Sequence, residues 1–189
     1  MLGFPIGLIY ANAGEWLIHK YLLHGVGRNR ASFWSFHWYE HHKTSRQLDM
    51  EDPAYLRRLF AKWDPQTKEA VGLIAAGLAH APLAPIAPGF VLGVWVAAAN
   101  YYRVHKKSHL DPEWAKRKLT WHWDHHMGPD QDANWCVSFP LFDHIMGTRK
   151  PFFGTPAERE GRAQREAFAA RAKAARAERD DDDEMRDAA

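Results

Sequence analysis

Cysteine is nearly absent: Cys136 is the single one in 189 residues. That excludes an internal disulfide and any multi-cysteine zinc or iron–sulfur motif. Net charge is almost lacking too, at +2, with both signs spread through the polar segments, so nothing marks the chain as a nucleic-acid binder. No paired Glu-x-x-His motif of a soluble ferritin-like di-iron protein occurs, since Glu15 stands four residues before His19. The apolar start, Met1 to Ile18, has neither the basic residues nor the small-residue cleavage site of a signal peptide. Lys and Arg are missing altogether from residues 1–19 and 69–102, and all 25 of them fall in 20–68 and 103–189.

That gap in positive charge organises the chain. Residues 1–18 read as a short apolar helix, just long enough to span a bilayer, for which about 20 residues are needed. Residues 70–102 form a second apolar stretch, but Pro82, Pro85 and Pro88 break its middle. It is therefore expected as two short helices of roughly 15 residues, a tilted or re-entrant hairpin. One crossing followed by a returning hairpin puts both basic segments on the same face, which the positive-inside tendency assigns to the cytoplasm. The mean hydropathy lies on the polar side, so most of the chain cannot lie in lipid. Asp52-Pro53 and Asp64-Pro65 mark turns or helix starts. From about residue 155 the chain turns Ala/Arg/Glu-rich, and an acidic run begins at Asp180. The expectation is an all-α, integral membrane helical protein, with a domain over 1–154 and a charged helical or disordered tail over 155–189. The Ala/Arg-rich composition points to a bacterial source, hence a multi-pass protein of the inner membrane.

What the chain has in excess is histidine, twelve in all. Ten fall in four clusters: His19 and His24; His37, His41 and His42; His105 and His109; His122, His125 and His126. Imidazole is the commonest protein ligand for transition metals. Ten are too many for one ion, which takes about four to six ligands, and they suit two ions sharing a site. Each cluster lies in, or at the membrane edge of, the two basic segments, so all ten can meet in one place. On an α-helix His105 and His109 share a face, as do His37 and His41, and His122, His125 and His126 form a compact triangle. His42 and the five-residue step from His19 to His24 diverge by about 140° on an ideal helix. They serve different ions or sit where the helix ends or widens. Ligand imidazoles need acceptors on their other ring nitrogen, and Glu15, Glu40, Asp111, Asp124, Asp143 and Asn134 are candidates. His80, among the hairpin prolines, reads as structural; His144 is intermediate.

These clusters resemble the fatty acid hydroxylase superfamily, membrane di-iron enzymes that include sterol oxidases and fatty acid and sphingolipid hydroxylases. The family pattern HX3-4H, HX2-3HH, HX2-3HH is matched by His19/His24, His37/His41/His42 and His122/His125/His126. The additional pair His105/His109 is similar to the fatty acid 2-hydroxylase arrangement. Glu15-Trp16-Leu17-Ile18-His19 through His24-Gly25 and the closing Phe142-Asp143-His144-Ile145-Met146-Gly147-Thr148 resemble family segments. The resemblance implies the ten clustered histidines as metal ligands, two iron ions (with zinc able to occupy the site in purified samples) and O2 as co-substrate. It also implies oxidation of a lipid C–H bond by a monooxygenase. Because no His-Pro-Gly-Gly haem-binding segment is present, electrons are expected from a separate donor protein. Family members usually carry further membrane helices before the first motif. Only 18 residues precede His19, so a minimal or truncated member is expected. Alternatives on the same scaffold are a carotenoid hydroxylase or a lipid desaturase; the alternative of a different class is a non-catalytic metal-binding membrane protein.

Overall fold

The computed structural model describes residues 2–163. It is helical, and no strand occurs among the described residues. Two compact units are distinguished, one through Pro151 and one from Phe152. In the second, residues 156–163 are helical; most of the charged tail expected over 155–189, including its acidic run, lies outside the described residues.

The first unit is built from α1 (Gly3–Leu17), α2 (Lys43–Gln47), α3 (Pro65–His80), α4 (Pro88–Leu110), α5 (Pro112–Lys118), α6 (Thr120–Met127) and α7 (Leu141–Ile145). The Asp-Pro signals act as helix starts. Asp64 accepts from the Thr67 N–H at the head of α3, and Asp52 accepts from the Ala54 N–H at the head of a 3₁₀ turn, Pro53–Leu56. Both carboxylates satisfy an amide that a helix start leaves without a partner, and proline at the first position removes another. The hairpin is α3 and α4, joined through a 3₁₀ turn at Ala81–Leu83.

The hairpin arms are unequal, because α4 runs on through the polar segment to Leu110. Among the described residues no helix is long and apolar enough to cross a membrane. The length of the N-terminal helix does not support the expected crossing: fifteen residues of α1 pass directly into the histidine-bearing segment that follows. The apolar side chains nonetheless face outward, with Ile6, Ile9, Ile74, Leu78, Leu92 and Trp95 all about half exposed.

α1 packs chiefly on α4. Their crossing is close because glycines meet there: Gly3 and Gly7 on one helix, Gly89 and Gly93 on the other. A Cβ on Gly7 would meet the Phe90 carbonyl oxygen and lie 3.1 Å from the Gly93 Cα. A Cβ on Gly93 would meet the Phe4 carbonyl oxygen and lie 3.0 Å from the Gly7 Cα. Both helices thus carry a Gly-xxx-Gly face, the spacing that lets backbones approach. Gly14, on the same helix, has no atom within 4 Å of its would-be Cβ. Gly7→Ala or Gly93→Ala should destabilise by about 1–3 kcal/mol through overpacking. Gly14→Ala should be neutral or gain about 0.5–1 kcal/mol. Thermal midpoints of the three variants test this, and equal midpoints for Gly7→Ala and Gly14→Ala would contradict the close crossing.

Candidate metal centre

All ten clustered histidines converge, and each is at most 3% exposed. The two segments that an ideal α-helix could not align are π-helical: Ile18–Gly25 and His37–His42. A π-helix hydrogen-bonds from i to i+5, so residues five apart stack on one face. His19 and His24 therefore face the same way, as do His37 and His42. The Nε2 atoms of His37 and His42 are 3.1 Å apart. The helix widens at both five-residue steps.

The imidazoles fall into two groups. His19, His24, His37, His42 and His125 form the first, His41, His105, His109 and His126 the second; within each, one nitrogen per ring lies within 4.8 Å of all the others. In the first group Nε2 separations are 3.0 Å for His19–His37 and 3.1 Å for His24–His42 and His42–His125. His122 adjoins the second group, its Nε2 3.2 Å from that of His109. The neighbours His41 and His42 go to different groups, and so do His125 and His126. Adjacent residues point in different directions around a helix axis, so each His-His pair straddles the two groups.

The outward nitrogens of six rings are held, whereas Nδ1 of His24, His122 and His126 is buried without a hydrogen bond. His41 Nδ1 is 2.8 Å from Asp52 Oδ2 and His105 Nδ1 is 2.7 Å from Glu69 Oε1. His42 Nδ1 meets Gln131 Oε1 at 2.9 Å, and His19 Nδ1 meets the Trp135 carbonyl at 2.5 Å. His109 and His125 donate to the carbonyls of Met50 and Ala133, each at 2.7 Å. Asp132 Oδ1 lies 3.4 Å from His24 Nδ1. Tyr55 donates to the second oxygen of Glu69 and packs parallel to His109. Met50 reaches its position with φ +83°, rare for a side chain of its size, and is fully buried. This is local strain set beside the site, where it aims a carbonyl at His109.

These acceptors are mostly not those the sequence suggested. Glu15 instead accepts from the Val137 and Ser138 amides, and Asp143 from the Trp135 and Cys136 amides. Asn134 is tied to Lys150 and Arg149. They brace the 134–150 loop that carries the Trp135 carbonyl. Glu40 pairs with Lys68, Asp111 caps α5, and Asp124 pairs with Arg149. Asp52 and Glu69 were missed because nothing in sequence places them by the histidines; the Asp-Pro helix start was the only signal for Asp52. His144 is exposed and apart from the cage, and His80 lies in the hairpin.

The donor set fits metal ions. A ring whose Nδ1–H is donated outward carries a lone pair on Nε2. Those lone pairs face one another, and the Nε2 atoms of His41 and His126 are buried with no hydrogen-bond partner. Two nitrogens each about 2.1 Å from a shared ion at right angles lie about 3 Å apart, which matches the separations seen. Burial holds the pKa values of His19, His24, His37, His41, His42, His109, His122 and His126 below the usual imidazole range, and brings His125 to about 4. The rings are neutral ligands at pH 7, and an all-imidazole set suits iron, zinc or copper.

An apolar cavity of about 250 Å³ reaches this centre. Its lining includes His19 and His37 of the first group and His41 and His105 of the second, with Leu73, Val94 and Ala97 and the polar side chains of Glu15, Tyr55 and Glu69.

The sequence profile of the fatty acid hydroxylase family matches residues 4–148, most of the chain. This chain belongs to the fatty acid hydroxylase family. No curated protein and no solved structure matches it. Membership and the two buried histidine groups together make it a metal-binding oxidoreductase of the lipid hydroxylase or desaturase type.

Two outcomes follow for this member of the fatty acid hydroxylase family. Glu69→Gln removes one of the two acceptor oxygens shared by His105 and Tyr55, and should weaken metal binding about 10–100-fold, measured by competition with a chelator; unchanged affinity would show that Glu69 does not orient His105. For the metal-stripped protein, the folded-state pKa values lie below the unfolded value of about 6.5. The unfolded chain then binds more protons below that pH, so stability falls as pH drops from about 6.5 toward the His125 value of about 4. Thermal midpoints should be flat above pH 7 and decline below 6.5; a midpoint constant from pH 7 to 5 would refute this.

Proposed function

We propose that the protein is an O2-dependent di-iron monooxygenase that hydroxylates a C–H bond of a lipid chain. The observation that carries this reading is the apolar cavity ending on imidazoles of both groups. An aliphatic chain lying in it would touch both centres at once, which a metal store has no need of. His19, His24, His37, His42 and His125 would hold one ion; His41, His105, His109 and His126, with His122 beside them, the other. When bound, the iron pair would supply reduction of O2 and removal of hydrogen from an unactivated carbon.

The chain's own residues do the rest. Asp52, Glu69, Gln131 and the Met50, Ala133 and Trp135 carbonyls fix His41, His105, His42, His109, His125 and His19 so that Nε2 faces inward. The apolar walls exclude water and leave dispersion contacts to align the substrate. Two electrons per turnover would come from a separate donor protein docking from water. The outward apolar faces of α1, α3 and α4 would enter the bilayer together, letting substrate pass sideways into the cavity. The lysines and arginines outside those faces favour, by the positive-inside tendency, a metal centre facing the cytoplasm.

Metal analysis of detergent-extracted protein, with mass spectrometry of host lipids with and without expression, tests the proposal. We expect two iron ions per chain and lipids heavier by one oxygen. His125→Ala or His126→Ala should lose metal and product together. Bound metal with no O2 consumption under reductant would make this a metal-binding protein instead, and products lighter by two hydrogens would make it a desaturase.

A further inference from the structure

We propose that Tyr10 and His80 form a hydroxyl-recognition subsite in the apolar cavity, taking the alcohol group of a long-chain or ring lipid. Both residues line the cavity that ends on His19, His37, His41 and His105. His80 Nδ1 lies 2.7 Å from the Ala76 carbonyl oxygen, which can only accept. The contact fixes the tautomer: Nδ1 carries the proton, and Nε2 presents a lone pair when the ring holds a single proton. Tyr10 Oη lies 3.0 Å from that Nε2 and must donate to it. The two rings meet edge to face at 5.4 Å, and Phe90 packs on both.

The consequence is directional. With its proton committed to His80, the Tyr10 oxygen can only accept, so the ligand group that suits it is a donor. A hydroxyl can donate. A carboxylate cannot, and would set lone pair against lone pair. Leu73, Ala76, Val94 and Ala97 line the cavity and offer no hydrogen bond, while the lining polar groups Asn12, Glu15, Ser138, Tyr55 and Glu69 are bonded within the fold, Ser138 to Glu15, Tyr55 to Glu69 and Asn12 to the Phe139 carbonyl. The subsite also acts as a ruler. Tyr10 precedes His19 by nine residues, about 14 Å of helix, and His80 follows Glu69, which holds His105, by eleven, about 16 Å. Anchoring a hydroxyl there would fix which carbon reaches the imidazole end. That last consequence rests on the proposed hydroxylase reading; the subsite itself does not.

The test is binding of radiolabelled dodecanol, dodecane and dodecanoate to the immobilised full chain in detergent, with metal content measured alongside. Parent protein should hold dodecanol about tenfold more tightly than dodecane, the worth of one well-placed hydrogen bond. Tyr10→Phe should bring that ratio near one and leave dodecane unchanged. His80→Ala frees the phenol proton, so dodecanoate should gain on dodecanol about tenfold, a reversal that loss of packing alone would not produce. Metal content should stay at the parent value in both variants. Equal binding of dodecanol and dodecane by the parent, equal weakening of both by Tyr10→Phe, or no gain of dodecanoate in His80→Ala would overturn the proposal. Loss of metal in either variant would also overturn it, by placing the pair within the cage. A failed oxidation assay leaves these affinities intact, so the two readings fail separately.

Discussion

Nine imidazoles gathered into two groups of five and four, with His122 beside the second, are the constraint on which this fold depends. Neutral rings at 3.0–3.3 Å, nitrogen to nitrogen, repel unless something positive stands between them. Burial disfavours a second proton on His19, His42, His109 and His125, so their inward lone pairs stay in place. The aliphatic core cannot compensate: the buried hydrophobic residues form small separate clusters, such as Trp16 with Trp135 and Cys136, or Met50 with Ala115 and Trp123. The interior is largely the cage itself. Metal binding and folding are coupled in such an arrangement, because ligands preformed for an ion cost free energy until it arrives. The strained Met50 and the braced 134–150 loop are elements of that cost, held in place by hydrogen bonds around the ring.

The histidine set and its clustering in space were legible because charge distribution and spacing converged on one face of the molecule. Helical class and the Asp-Pro helix starts were legible for the same local reasons, a carboxylate and a proline each removing an amide in need of a partner. The divergence at His19–His24 and at His42 was visible as a misfit to the α-helix. Its resolution as π-helix was one of two options the spacing left open. A one-residue widening depends on tertiary demand: the gain from bringing His24 and His42 to a common point outweighs poorer backbone hydrogen bonding.

What the sequence hid was long-range or faint. Glu69 is 36 residues from His105 and Asp52 is eleven from His41, and no periodicity links them. Main-chain carbonyls from Met50, Ala133 and Trp135 have no side-chain signature at all. The Gly-xxx-Gly faces of α1 and α4 were legible in principle, but only as a pair, since one such spacing in an apolar run is common. Helix length misled in one direction only. Apolar runs set the outward faces, whereas the histidines at the ends of those runs are recruited inward and shorten the apolar part.

The two groups are not equivalent, and the difference lies in their outward partners. The second group has carboxylates on two of its rings, Asp52 on His41 and Glu69 on His105. The first relies on neutral oxygens from Gln131 and the Ala133 and Trp135 carbonyls, with Asp132 standing farther off at 3.4 Å from His24. A carboxylate on Nδ1–H makes the opposite nitrogen a stronger donor. The second group is therefore better suited than the first to stabilise positive charge on a metal ion. Its carboxylate-backed rings, His41 and His105, also line the apolar cavity. His19 and His37 of the first group line it too, so the cavity meets one carboxylate-backed group and one backed mainly by neutral oxygens.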